Sequence, residues 1–282
     1  MKSTITFIPI GGLANRFFAI TSAISFCQDH NVRLRVIWFK DWGMGTSFNS
    51  IMELSQHFQD VEIIDARWKD YIFDRPRKRN LWLPYLFQRF YFGKRIYEKD
   101  IRVDKFSVDD LKKVVHYYKT IYLVQYHYFY PLKKVNQILK PNLYIHNLIE
   151  SRKKKLKLDE NMIGIHIRRT DHVSSIDNSP ISLFISKMKE EIMKEPSIRF
   201  YIASDDLDEK RKLKEIFGER VVTMFDVVRR DTQQGIVDAV VELYALASMK
   251  KIYGSCNSSY SWLAAHLSGI DLEYINKVVY EK

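Results

Sequence analysis

The residues with the clearest chemical potential form a charged cluster at the end of an apolar segment. Alternating apolar residues in 162–167 predict a buried strand, and His166, Arg168, Arg169 and Asp171 lie at its end or directly after it. Two adjacent arginines are costly to bury without an anion, and the arginine fork suits phosphate oxygens. The cluster therefore predicts a phosphate or pyrophosphate site. The alternative is a strand end with solvated arginines and Asp171 as their partner.

Three further polar segments separate a predicted strand from a predicted helix. They are 11–16, 204–206 and 254–259. Because parallel strands end at one edge of a sheet, we expect the last two to meet the arginine cluster in the second half of the chain. The first segment should face them from the first half.

Several of these residues allow two interpretations. Asp206, with Asp205, suits a metal, a sugar hydroxyl or a helix cap, and capping is favoured. Asp238 is either a cap of an apolar helix or an acceptor facing a guanine edge. Ser258 and Ser259 either cap a helix or belong to an anion site at its start.

The order of predicted elements is typical of α/β domains. In the first half, strands are predicted at 5–10, 32–38, 61–64 and 121–126, with helices at 13–29 and 132–139. In the second half, strands are predicted at 162–167, 198–203, 221–223 and 251–253, and helices at 181–194, 207–217, 238–249 and 260–267, with a loop over 168–180. The charged segment 151–157 should end a helix, and we place the domains at 1–150 and 151–282.

Composition narrows the function classes. The 282 residues are 46% hydrophobic, which suffices for one large domain or two ordinary ones. Two cysteines cannot form a disulfide framework, and no Cys/His spacing resembles a zinc site. We find no signal peptide or membrane-spanning run and expect a cytoplasmic protein. The formal net charge of +11 favours anionic partners such as nucleotides, nucleic acid or an acidic membrane surface.

The segment from Arg75 to Arg95 combines basic and aromatic residues. This composition suits a peripheral contact with an anionic inner membrane face, or an acceptor-binding lobe. The simpler alternative is a core helix flanked by solvated charges, because aromatic residues at helical spacing usually face a core.

The ordered motifs resemble the fucosyltransferase superfamily that joins the α1,2-, α1,6- and protein O-fucosyltransferases. They are Gly-Gly-Leu-Ala-Asn-Arg (11–16), His-Ile-Arg-Arg-Thr-Asp (166–171), Ser-Asp-Asp (204–206) and Gly-Ser-Cys-Asn-Ser-Ser-Tyr-Ser-Trp (254–262). The His-x-Arg-Arg-Thr-Asp form is most similar to the α1,6 branch, and the last motif looks more like the α1,2 branch. The resemblance implies a GT-B fold with two Rossmann-like lobes facing across a cleft. It also implies GDP-fucose as donor, inversion at the anomeric carbon and no metal or other cofactor.

The resemblance also implies roles for residues in the second half. Arg168 would hold the β-phosphate and neutralise the leaving GDP, and Arg169 would support the site. His166 and Asp238 would contact the nucleoside. Asp171 would belong to the donor-binding set.

The remaining implied roles concern the helix starts and the first half. Ser258 and Ser259 would contact the phosphates, and Asp206 would hold the nucleotide-side loop. Asn15 and Arg16 would lie near the donor.

One position departs from the resembled pattern. The α1,6 enzymes place a glutamate, the expected base, a few residues past the Arg-Arg-Thr-Asp segment, where this chain has Ile176. The adjacent Asp177 is our candidate general base, with another group as the alternative.

We therefore predict a bacterial-type inverting glycosyltransferase that moves fucose from GDP-fucose to a surface glycan or lipid-linked oligosaccharide. No nucleic acid partner is expected, because no basic helix or RNA-binding aromatic motif accompanies the charge. The alternatives are a basic nucleic-acid-binding protein and a catalytically inactive GDP-sugar-binding protein of the same fold.

Overall fold

The computed structural model describes residues 2–72, 82–98, 100, 107–169, 173–226 and 229–277. The chain folds into two compact units. Unit 1 comprises Met1–Asn142 and Arg230–Ile236, and unit 2 comprises Leu143–Arg229 and Val237–Lys282. None of the helices within these described ranges is both long enough and apolar enough to cross a bilayer.

Unit 1 is built on a parallel sheet with the strand order β4-β2-β1-β6-β5. Its strands are β1 (Thr4–Pro9), β2 (Arg33–Trp38), β4 (Val61–Asp65), β5 (Lys94–Ile96) and β6 (Thr120–Gln125), and β3 (Met52–Glu53) pairs separately with β7 (Lys140–Pro141). Its helices are α1 (Leu13–Asp29), a 3₁₀ helix (Trp68–Ile72), α2 (Trp82–Tyr91), α3 (Val108–Tyr117) and α4 (Val135–Ile138).

Helix α1 is the central helix of unit 1. It follows β1 through Gly11 and Gly12, and nearly every side chain from Leu13 to Cys27 is buried. A helix whose side chains are apolar or small around most of its circumference can be buried by neighbouring elements on more than one side. Gly11 has a φ of +88°, which only glycine adopts without strain, so this position fixes the turn between β1 and α1.

Unit 2 contains a second parallel sheet, with the strand order β10-β9-β8-β11-β12. Its strands are β8 (Ile163–Ile167), β9 (Phe200–Ser204), β10 (Val221–Val222), β11 (Lys251–Ser255) and β12 (Asp271–Ile275). Its helices are α5 (Leu143–Leu156), α6 (Val173–Asn178), α7 (Ile181–Lys194), α8 (Leu207–Phe217), a 3₁₀ turn (Gly218–Arg220), α9 (Gln233–Ala247), whose first turn is counted in unit 1, and α10 (Ser259–Ser268).

The two faces of β8 pack against different partners. Ile163, Ile165 and Ile167 belong to an apolar cluster that includes Phe184 of α7. Gly164 lies on the opposite face of the strand. A Cβ at this position would lie 2.5 Å from Leu246 of α9, so the glycine permits close strand–helix packing. The central strand is thus buried on both faces, as parallel sheets require.

The structure confirms the α/β class and most predicted elements, and it corrects several others. Helices 13–29, 181–194 and 207–217 have the predicted limits. The expected loop over 168–180 contains the short helix α6, and α9 begins at Gln233, five residues before the predicted start at 238. Helix α3 and strands β5 and β12 were not predicted. Helix α5 ends at Leu156, and the domain boundary proposed near residue 151 falls inside it.

Candidate functional site

The three polar turns of unit 2 meet at the carboxyl edge of its sheet. β8 lies between β9 and β11, and His166 is in register with both Ala203 and Gly254. Strand order reverses direction between β8 and β11, which makes this the topological switch point where open α/β sheets bind their ligands. The predicted convergence of the turns is therefore confirmed.

Arg168 is held at this edge by its backbone and its side chain. Its N–H donates to the Ser255 hydroxyl (3.0 Å), and its Nη1 lies 2.7 Å from an Asp205 carboxylate oxygen. The Arg168 side chain is 22% exposed, whereas that of Asp205 is 7% exposed. A guanidinium has five N–H donors, so one that is positioned by a buried carboxylate is suited to bind an anion as well.

Each guanidinium nitrogen of Arg169 donates a hydrogen bond to another group of the protein. Its Nε donates to Glu209 (2.7 Å), its Nη2 to the carbonyl of Ser179 (3.0 Å) and its Nη1 to the carbonyl of Arg168 (3.1 Å). Its backbone N–H donates to Asp205 (2.8 Å), so that one carboxylate holds both arginines. The two arginines therefore have Asp205 and Glu209 as acidic partners. Asp171, which the sequence suggested as their partner, lies outside the described residues.

His166 is buried and its imidazole has partners within the protein. Its Nδ1 is 2.7 Å from the Ser261 hydroxyl and 3.3 Å from the Ser258 hydroxyl, and its ring stacks on Tyr260 with centroids 4.8 Å apart. Burial, together with the charges of Arg168 and Lys210, lowers the pKa of His166 to about 3. The imidazole is therefore neutral at physiological pH.

This shift in pKa predicts a pH dependence of stability. A histidine with a depressed folded-state pKa binds its proton more readily in the unfolded chain, so stability should fall as the pH drops below about 6.5. Between pH of about 6.5 and the folded-state pKa of about 3, each pH unit should remove up to about 1.4 kcal/mol of unfolding free energy. Urea unfolding of His166→Asn between neutral pH and pH near 5 should show a shallower fall than the wild type. The exposed control His116→Asn should retain the wild-type slope, and equal slopes in all three proteins would contradict the assignment.

A buried ion pair joins α8 to α9. Lys210 of α8 is 1% exposed, and its Nζ is 3.0 Å from a carboxylate oxygen of Glu242 on α9. Burial raises the pKa of Glu242, while Lys210 and Arg152 oppose that rise. Neither residue was singled out from the sequence, because charged positions on amphipathic helices normally face solvent.

The structure separates the roles of Asp206 and Asp238. The carboxylate of Asp206 accepts the N–H groups of Asp208 (2.8 Å) and Glu209 (3.1 Å), which confirms it as the cap of α8. Asp238 lies in the second turn of α9, so the cap interpretation is wrong for it. Its carboxylate is 3.6 Å from Arg152, which also pairs with Asp226 at 3.1 Å.

The turn between β11 and α10 and the first turn of α10 bring hydroxyl groups close to His166, at the carboxyl edge of the unit 2 sheet. Ser258 occupies the cap position of α10, but its side chain makes no capping hydrogen bond there and approaches His166 instead. Ser259 is the first residue of the helix. A Cβ at Gly254 would lie 2.5 Å from the Ser261 hydroxyl, so this glycine lets Ser261 reach the imidazole. The sequence analysis missed Ser255 and Ser261, although both lie within the motif at 254–262.

The first polar turn is in unit 1, where Arg16 is buried. Its Nε donates to the Gly11 carbonyl (2.8 Å), and its other nitrogens donate to the carbonyl of Phe39 and to Asp41. Its guanidinium also lies 5.0 Å from the ring centroid of Trp38. Arg16 therefore fastens the turn after β1, and donor contact by Arg16 and by the part-exposed Asn15 stays a prediction.

The candidate base lies on α6. Asp177 and Ile176 are both exposed there, so the Asp177 carboxylate is accessible to water. In the described part of the chain, no three or more His, Cys, Asp or Glu side chains are grouped to hold a metal ion.

Comparisons of sequence detect no relative. No family model matches the chain, and no curated protein matches it. Solved structures do match its fold.

NodZ α1,6-fucosyltransferase soaked with GDP-fucose aligns with a TM-score of 0.66 and 14% identity, over 95% of this chain and 93% of the other. A variant of Arabidopsis thaliana FUT1 in complex with GDP aligns with a TM-score of 0.66 and 14% identity, over 99% of this chain and 71% of the other. POFUT1 in complex with GDP-fucose aligns with a TM-score of 0.60 and 13% identity, over 97% and 98%. The chain therefore shares the fold of GT-B fucosyltransferases, with two Rossmann-like lobes.

Proposed function

We propose that the protein is a glycosyltransferase that moves fucose from GDP-fucose to a hydroxyl of a glycan. The observation that carries the proposal is the position of Arg168, whose 22% exposed side chain is held by Ser255 and Asp205 at the switch point of the unit 2 sheet. Fucosyltransferases of the same fold bind GDP or GDP-fucose, which supports the choice of donor.

The proposed reaction inverts the anomeric carbon and uses no metal. The acceptor oxygen bonds to the anomeric carbon as the bond to the β-phosphate oxygen breaks, and the sugar passes through an oxocarbenium-like state. Negative charge then grows on the departing GDP, and Arg168 stabilises it from a fixed position. The acceptor proton passes to a general base, for which we propose Asp177.

The other donor contacts are proposed by residue. The neutral His166 and the part-exposed carboxylate of Asp238 would contact the nucleoside, since carboxylates suit the N–H groups of a guanine edge. Ser258 and Ser259 would contact the phosphates from the start of α10, because the N-terminus of a helix favours anions. Asp206 would act indirectly by capping α8, and Asn15, Arg16 and Asp171 are further proposed donor-binding residues.

We further propose a surface glycan or a lipid-linked oligosaccharide as the acceptor, in a bacterial setting. The enzyme would then work in the cytoplasm, with peripheral contact to the inner membrane face. The net charge of +11 supports this placement because inner membrane surfaces are anionic.

A thermal-shift panel tests the donor class. GDP and GDP-fucose should raise the melting temperature, with about 2.7 kcal/mol of added stability at a hundred times the dissociation constant. UDP, CMP and their sugars should have little effect, and EDTA should not remove the GDP effect. Equal stabilisation by all nucleotides, or none by GDP, would contradict the proposal. Binding of GDP-fucose without transfer to any acceptor would favour a GDP-sugar-binding protein.

A further inference from the structure

Two large aromatic side chains of unit 1 project into solvent on neighbouring elements. Trp68 is 82% exposed and Phe90 is 77% exposed. Trp68 lies in the 3₁₀ helix, Phe90 lies near the end of α2, and these two elements pack against each other. Single exposed apolar residues are ordinary, but two such rings on adjoining elements require an explanation.

The exposed side of α2 is apolar with a basic flank. Leu86 is four residues before Phe90, so both share one face, and Leu86 is 42% exposed. Arg89 is exposed beside them, three residues after Leu86. Gln88 is buried, and its side-chain oxygen accepts a hydrogen bond from Tyr97 (2.6 Å), which fixes how the helix is rotated.

The 3₁₀ helix and the residue before it also combine an aromatic ring with basic side chains. Arg67, Trp68 and Lys69 are all exposed. Asp70 is buried, and its carboxylate accepts the N–H of Arg67 (2.8 Å), so its charge faces inward. Across segments 66–72 and 86–95, both of which the structure describes, no other acidic residue is present.

We propose that this surface, formed by Trp68, Leu86 and Phe90 with Arg67, Lys69 and Arg89, docks onto an anionic phospholipid bilayer. Large aromatic rings settle at the level of the headgroups, and basic side chains meet the lipid phosphates. Within the segment 75–95, for which a membrane contact was proposed above, this surface uses Leu86, Arg89 and Phe90. It also includes residues of the 3₁₀ helix and Arg67 before it. It rests on the proposed function only in that a lipid-linked acceptor would be presented at the same membrane.

Flotation of the full chain with vesicles provides the test. The wild type should bind phosphatidylcholine vesicles that contain phosphatidylglycerol, should bind pure phosphatidylcholine weakly, and should be released by high salt. Trp68→Ser/Phe90→Ser should bind the anionic vesicles at least about tenfold more weakly than the wild type. Arg89→Glu should weaken binding mainly at low salt, where the attraction between basic side chains and lipid phosphates is strongest. Tyr117→Ser, which removes a 77% exposed ring from α3, is the matched control and should bind like the wild type.

Three outcomes would overturn the inference. The first is absence of vesicle binding by the wild type, and the second is an equal loss of binding in Tyr117→Ser. The third is a concentration-dependent dimer that Trp68→Ser/Phe90→Ser dissociates in the absence of lipid binding, because the surface would then join two copies of the chain. Stabilisation by GDP should persist in Trp68→Ser/Phe90→Ser, so failure of this inference and failure of the proposed donor are distinguishable.

Discussion

Arg168→Ala should lower fucose transfer by about 10³-fold while the protein stays folded. Removal of a single preorganised donor from a site of developing negative charge typically lowers turnover by about 10²–10³-fold, and Arg168 supplies a full charge as well. Arg168→Lys should also be poor, because a compact ammonium cannot contact two oxygens as the arginine fork does. Transfer from GDP-fucose and the affinity for GDP are the measurements.

The controls separate lost chemistry from a disturbed site. Arg168→Ala removes one partner of the Asp205 carboxylate, which still accepts the N–H of Arg169, and Arg168→Ala/Asp205→Ala should be equally inactive. Arg199→Ala removes an arginine of the same unit that donates to the Lys157 carbonyl (3.0 Å), and it should retain full activity. Near-normal transfer by folded Arg168→Ala would refute the role assigned to Arg168.

Breaking the Lys210–Glu242 pair should have the largest effect on stability. Lys210→Met or Glu242→Leu should each lower the unfolding free energy by about 3–5 kcal/mol, because each leaves a buried charge without its partner. Lys210→Met/Glu242→Leu should recover most of that loss, since two apolar side chains of similar volume need no ionic partner. Urea unfolding of the three variants, analysed as a double-mutant cycle, gives the coupling free energy.

An exposed ion pair provides the comparison for this cycle. Lys112 and Asp109 of α3 are 2.8 Å apart with side chains 45% and 77% exposed, so Lys112→Met should change the unfolding free energy by less than about 0.5 kcal/mol. If Lys210→Met behaved like Lys112→Met, the buried pair would not be charged in the folded protein.

Elements with strong local signals were predictable from the sequence. Helix α8 has a capping carboxylate at Asp206 and a glycine at 218, and its predicted limits match the structure. The convergence of the turns at His166, Ser204 and Gly254 followed from the geometry of a parallel sheet alone. These features depend on residues close together in sequence or on a general rule of topology.

Features set by distant contacts were not predictable in this way. Lys210 and Glu242 occupy ordinary charged positions of helices, and only the packing of α8 beside α9 buries them. Asp205 and Asp206 are chemically identical neighbours, yet one holds Arg168 and the other caps a helix. Strand β12 carries Asp271 and Glu273 and lies at an edge of the sheet, so it lacks the apolar pattern of a central strand.

The short segment Arg230–Ile236 determines how this protein can be dissected into fragments. It belongs to unit 1 although the segments directly before and after it, Leu143–Arg229 and Val237–Lys282, belong to unit 2, and its Arg230 carbonyl accepts the N–H of Gly45 (2.9 Å). A Cβ at Gly45 would lie 2.3 Å from the backbone of Asp231, so the glycine makes room for the returning chain. A recombinant fragment that stops at residue 142 would consequently lack part of its own framework. Expression of a separately folded N-terminal piece would need the returning heptapeptide to be grafted or supplied in trans.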